Sequence, residues 1–109
     1  MTARENLATV RSALDQVTSE HRRLAILELL DRHIGYTSND RVIADCLVRL
    51  GLGTIRDVLR ADLEWLNESS LIRIEPVENV VVVTLLEGGQ EVAQGRRADL
   101  EGIARPALP

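Results

Sequence analysis

The sequence predicts a mostly α-helical single domain, closed by a β-hairpin and preceded by an extra helix. Three observations lead to this class. Apolar residues recur at steps of three and four from Leu7 to Leu66, the spacing of one helix face. From Leu71 the period falls to two, and a β-branched run follows. The chain has 109 residues, of which 45% are apolar and 28% charged. That length admits one domain with a modest core, and that balance is not the composition of a disordered chain.

The elements follow in order. Leu7, Val10, Leu14 and Val17 form one stripe, with Arg4, Glu5, Arg11 and Asp15 off it, predicting a helix over 3–17. Thr18 or Ser19 can cap a second helix over 20–33, whose inward side is Leu24, Leu27, Leu30 and Ile34, with Gly35 placed to end it. Tyr36-Thr37-Ser38-Asn39-Asp40 is a polar break with several N-cap candidates. A third helix over 39–50 carries Val42, Ile43, Leu47 and Leu50. After Gly51-Leu52-Gly53, Thr54 opens a fourth helix over 54–68, with Asp57 completing something close to a capping box.

Leu71–Glu75 alternates, Pro76-Val77-Glu78-Asn79 reads as a four-residue loop, and Val80–Leu85 is strand-like, so a hairpin is expected. A last helix over 87–94 contains Gly88 and Gly89, each costing roughly 1 kcal/mol of helix propensity, so packing must hold it. Residues 96–109 read as a tail. The expected core is Leu27, Leu30, Leu47, Leu59, Leu63 and Leu66, with Ile72, Ile74 and Val82 against them. Trp65 and Cys46 are expected to pack with it.

A short turn between the third and fourth helices, followed at once by a hairpin, is the layout of a winged helix-turn-helix domain. The division is then 1–18 for an N-terminal helix suited to dimerisation, 19–95 for the winged helix-turn-helix domain, and 96–109 for the tail. In this layout the fourth helix keeps one face outward, free to enter the major groove.

Three stretches also resemble a known family: Glu20-His21-Arg22-Arg23-Leu24-Ala25-Ile26-Leu27, the run Arg56 to Leu66 with its Arg-Ala-Asp-Leu-Glu-Trp-Leu core, and Thr84 to Ala93. They are similar to the small winged-helix proteins of Mu-like phages and prophages, often described as ArsR-like. The ending Gly102-Ile103-Ala104-Arg105-Pro106 fits as well, so the resemblance spans about 19–106. It implies a winged-helix fold, a phage origin and DNA binding. The last helix of the family usually opens with Thr or Ser. Here Leu86 stands there, with Thr84 as a substitute cap. The cysteine pairs of ArsR-type metal sensors have no counterpart between Thr54 and Glu68.

The candidate DNA contacts are Thr54, Arg56, Asp57 and Arg60 on the outward face of the fourth helix. Arg22, Arg23 and Arg41, near the starts of the second and third helices, are placed as phosphate clamps. Arg binds guanine or phosphate bidentately, and Arg56 and Arg60, four apart, project together. Their competing reading is a solvated helix face, with Arg60 paired to Asp57 or Glu64. Charge tempers the DNA reading. Net charge is −4: residues 1–50 hold seven Arg and seven acids, and residues 51–109 hold six Arg and ten acids. The hairpin tip is acidic at Glu75 and Glu78, which repels phosphate.

The expected function is therefore a phage-encoded DNA-binding protein, a small transcription regulator acting on double-stranded DNA as a homodimer through Leu7, Val10, Leu14 and Val17. The alternative is a winged-helix module that binds a host or phage protein instead. No GxSxG, HExxH or phosphate loop is present, so an enzyme is not expected. His21 and His33 lack a ligand-spaced partner, and the single cysteine builds no zinc site, so no metal or other cofactor is expected. No apolar stretch nears the roughly 20 residues of a membrane span, and no secretory signal opens the chain. With one cysteine, a reducing bacterial cytoplasm is the expected location.

Overall fold

A computed structural model describes residues 2–107 of the chain. Met1, Leu108 and Pro109, parts of the expected N-terminal helix and tail, lie outside the described residues. The elements are α1 (Ala3–Arg32), β1 (Thr37–Asn39), α2 (Asp40–Arg49), α3 (Arg56–Glu68), β2 (Ile72–Val77), β3 (Val80–Leu85) and α4 (Glu87–Ala93). A single 3-10 turn, Ile34–Tyr36, links α1 to β1.

The first correction is at the N-terminus. The two helices expected at 3–17 and 20–33 are one continuous helix of 30 residues. Neither Gly nor Pro stands between Val17 and Glu20 to stop propagation, and Ser19 does not cap: its hydroxyl accepts from Arg22 instead. The real cap lies upstream. The Thr2 hydroxyl accepts from the Glu5 amide at 3.2 Å, and the Glu5 carboxylate accepts from the Thr2 amide at 2.9 Å, a complete capping box. At the other end the helix stops before His33, so Gly35 belongs to the 3-10 turn rather than to the helix end.

The sheet is antiparallel and three-stranded, in the order β1-β3-β2, rather than a lone hairpin. The polar break expected before α2 supplies β1, where Thr37, Ser38 and Asn39 pair with Thr84, Val83 and Val82. The hairpin loop is two residues, Glu78-Asn79, because Pro76 and Val77 remain in β2 opposite Val81 and Val80. Pro76 is tolerated there since β2 is an edge strand.

Register also corrects the core. Ile72 and Ile74 oppose Leu85 and Val83, so these four share the inner face, whereas Val82 opposes Glu75 on the outer one. Val83, Leu85 and Ile72 are buried. Val82 and Ile74 are only half-buried. The remaining expected core residues, Leu27, Leu30, Leu47, Leu59, Leu63 and Leu66, are all buried, joined by Leu24, Ile26, Ile43, Leu71 and Val92. Trp65 is half-buried and packs on this cluster. Cys46, placed in the core by sequence, is half-buried and outside it.

α4 is held by contact. Leu86 flanks it without a side-chain cap, and Thr84 caps nothing: its hydroxyl lies 3.2 Å from that of Thr37. The Leu86 amide donates to the Leu71 carbonyl at 3.1 Å, and a Cβ added to Gly89 would fall 2.1 Å from that same oxygen. Gly89 is thus the residue that lets α4 lie against Leu71, in the connection between α3 and β2. Gln90 and Gln94 donate to Asp31, fixing α4 on α1.

The segment expected to be a tail is docked. Ile103 is buried, Leu100 and Ala104 pack on the core, and the Ala104 amide donates to the Glu20 carbonyl of α1 at 3.1 Å.

Candidate nucleic-acid interface

The outward surface of α2 and α3 is assembled from four local decisions of the sequence. Asn39 caps α2, its side-chain oxygen accepting from the Arg41 and Val42 amides at 3.0 Å each. Asp40, buried, accepts from the Val81 amide at 2.9 Å and so pins the start of α2 to β3. The Leu52 amide donates to the Leu47 carbonyl at 2.8 Å, closing the turn after α2. α3 then begins at Arg56, two residues later than expected. Ile55 flanks it with no side-chain cap, so the capping box expected from Thr54 and Asp57 does not form. Asp57 still sits in the first turn, where its charge favours the helix dipole.

α3 buries Leu59, Asp62, Leu63 and Leu66, and leaves Arg56, Asp57, Arg60, Ala61 and Glu64 exposed. Arg41, Thr54 and Arg56 line one open cleft of about 510 Å³, together with Asp45 and, from the hairpin tip, Asn79. Three sequence-predicted residues from two helices and their connection are therefore brought together. Arg60 lies one turn along α3, outside that cleft. Among the described residues, Arg41, Arg56 and Arg60 make no ion pair, so the pairing of Arg60 with Asp57 or Glu64 is not formed. Exposed guanidinium groups and a hydroxyl beside an uncapped helix start are donors suited to anionic oxygens. Asp45 opposes them.

Arg22 and Arg23, expected as phosphate clamps, are a correction. Arg22 is buried, its Nε donating to Asp62 Oδ2 and its Nη2 to Ser19. Arg23 donates from Nε to Asp62 Oδ1 at 3.0 Å and from Nη1 to the Gly102 carbonyl at 3.0 Å. Its guanidinium lies over the Trp65 ring, 4.4 Å from the centroid. Both are inward-facing because Asp62 sits on the buried side of α3, and a buried carboxylate must be matched by charge. The sequence contained a signal: Asp62 falls three after Leu59 and four before Leu66, on the apolar face. The network joins α1, α3 and the C-terminal segment, which sequence reading treated separately.

Leu7, Val10, Leu14 and Val17, the residues assigned to dimerisation, are 67%, 64%, 63% and 49% exposed. This half of α1 extends beyond the domain core. Among the described residues no cluster of three His, Cys, Asp or Glu side chains is present, and no helix is long and apolar enough to cross a membrane.

No family model matches the chain, and no solved structure matches it. It is similar to the uncharacterized protein gp26 of Escherichia phage Mu, 38% identical over 93 residues, spanning 85% of this chain and 95% of that protein. It is also similar to an uncharacterized protein of Haemophilus influenzae, 32% identical over 68 residues, spanning 62% of this chain and 66% of that one. These matches carry the Mu-like part of the expected resemblance, and not its ArsR-like winged-helix part. With nearly the whole of the Mu protein aligned at this identity, the chain belongs to the phage Mu gp26 family.

Proposed function

We propose that the chain is a winged helix-turn-helix protein that binds double-stranded DNA, acting as a small phage regulator of transcription in the host cytoplasm. The observation that carries this reading is the cleft in which Arg41, Thr54 and Arg56 meet the hairpin tip at Asn79. In a winged helix the helix after the short turn enters the major groove, with flanking groups on phosphate. The features of α3 that support this reading are an exposed face, a short connection from α2, and a hairpin immediately after it. Arg56 and Arg60 then contact the groove, and Arg41 a phosphate.

With Arg22 and Arg23 engaged by Asp62, few cations remain for the backbone. Binding to pooled phage DNA fragments should therefore weaken with salt along a shallow slope, corresponding to about three or four phosphates. Replacing Arg56 and Arg60 together by Ala, with circular dichroism retained, should abolish specific binding. Unchanged binding would exclude α3 as the reading element.

A second reading, a module that binds a protein, is favoured by a different observation. Val48, Leu50 and Ile55, around the α2–α3 connection, are 66%, 55% and 69% exposed. Apolar side chains at this density suit a protein partner better than a phosphate backbone. Loss of DNA binding at every salt concentration, with the fold intact, would favour it.

A further inference from the structure

Asp45 is the one side chain of the α2–α3 cleft that phosphate contact leaves unexplained. It is exposed on α2, one turn after Arg41, and lines the same cleft as Thr54 and Arg56. The other carboxylate of the cleft, Asp40, is buried and committed to the Val81 amide. Among the described residues Asp45 makes no ion pair, although two guanidinium groups share its cleft. Arg41 precedes it by four positions, which is the less favourable order for a pair along a helix. A free carboxylate at this place repels a phosphate backbone, and no ion pair of the fold requires it.

We infer, resting on the DNA reading proposed above, that Asp45 is a specificity-determining residue. It accepts from the exocyclic amino group of a cytosine, at the base pair adjacent to the one whose guanine Arg56 contacts. A recognition helix meets base edges with its N-terminal residues. Arg56 opens α3, Thr54 stands just before it, and Asp45 borders both from α2. An ionised carboxylate only accepts hydrogen bonds, and a guanidinium only donates them. In the major groove guanine presents two acceptors, N7 and O6, and thymine presents O4 and a methyl group. Neither offers a donor, so both repel a carboxylate. Adenine presents its amino donor beside the N7 acceptor and is only half matched. Cytosine alone presents a donor, N4, without an acceptor. Guanine, with two acceptors, is the base that Arg56 matches. Within one C·G pair, N4 and O6 are bonded to each other, so reading both would press carboxylate and guanidinium into contact. Asp45 and Arg56 stand apart across the cleft without pairing, which suits successive base pairs.

Selection of the full chain against a pool of random duplexes at low salt tests this. The unmodified protein should enrich a motif containing two adjacent G·C pairs. Changing the cytosine of the Asp45 position to thymine should weaken binding by about five- to a hundredfold. Asp45→Ala should keep one of the two G·C pairs and release the other. Asp45→Asn should turn that other pair to A·T, because an amide matches both the donor and the acceptor of adenine. Both variants should bind unrelated duplex more tightly than the unmodified protein, since a charge facing the phosphates is gone. Circular dichroism and the unfolding midpoint should not change, Asp45 being exposed and unpaired. An Asp45→Ala protein that enriches the same two pairs overturns the inference and leaves the DNA reading standing. So does an unmodified protein whose motif lacks adjacent G·C pairs. Absence of duplex binding by the unmodified protein at any salt concentration overturns both.

Discussion

Asp62 shows how one side chain can redirect the reading of others. Two adjacent arginines beside an apolar run are, by composition, surface groups, and nothing in their own neighbourhood says otherwise. Their placement follows from a carboxylate some forty positions on, whose burial requires charged donors. Removing that carboxylate leaves Arg22 buried and unmatched. Asp62→Ala should therefore cost about 3–5 kcal/mol, measured by denaturant unfolding. A loss confined to a few tenths would mean that Arg22 reaches solvent by itself. Gly89 works through space rather than charge. Any Cβ there meets the Leu71 carbonyl, so Gly89→Ala should destabilise by about 1–3 kcal/mol, even though Ala is the better helix former. Only the intrinsic helix weakness of Gly89 was legible in the sequence; the carbonyl that requires it was not.

At the level of elements, periodicity located the helical stretches but divided α1 in two, and the alternation from Leu71 located the hairpin. What it could not supply was phase and termination. Val80 to Val83 are alike, so the run itself does not say which valines face inward; pairing with Ile72 and Ile74 decides for Val83. β1 has no apolar pattern to find, since Thr37, Ser38 and Asn39 form a strand by pairing with β3 rather than by propensity. α1 continues through Thr18 and Ser19 because polar capping residues stop a helix only where the backbone has a reason to leave it. α3 is the element most exposed to test. Leu63 is 2% exposed on its inner side, so Leu63→Ala should cost about 2–5 kcal/mol in equilibrium unfolding. A cost under about 1 kcal/mol would mean that the site collapses around the missing atoms. The outer-face arginines should contribute little to stability and show their effect only in binding.

The whole molecule is a compact core with one protruding element: its longest dimension is 50 Å, close to the roughly 45 Å of a 30-residue helix. The candidate interface was legible only in part. Arg41, Thr54 and Arg56 could be nominated from helix starts, but that Asn79 of the hairpin joins them depends on the tertiary packing of β3 against α2. Charge at this scale predicts ionic-strength behaviour. With a net charge of −4 and its free arginines dispersed, the protein should show negligible affinity for non-specific duplex at physiological salt, measured by fluorescence anisotropy. Tight non-specific binding would show that the overall charge is not what the duplex meets.

The chain contains a single tryptophan, and that indole carries a cation above it and the backbone of Gly102 against its edge, where an added methyl would lie 2.6 Å from the ring. Its emission is therefore an intrinsic reporter of whether the C-terminal strap is seated on α1 and α3. Ending the chain at residue 99 should shift the fluorescence of Trp65 toward the red and make it more accessible to a soluble quencher, while helix content stays almost unchanged. Release of the strap can then be followed optically in the intact protein with no label added.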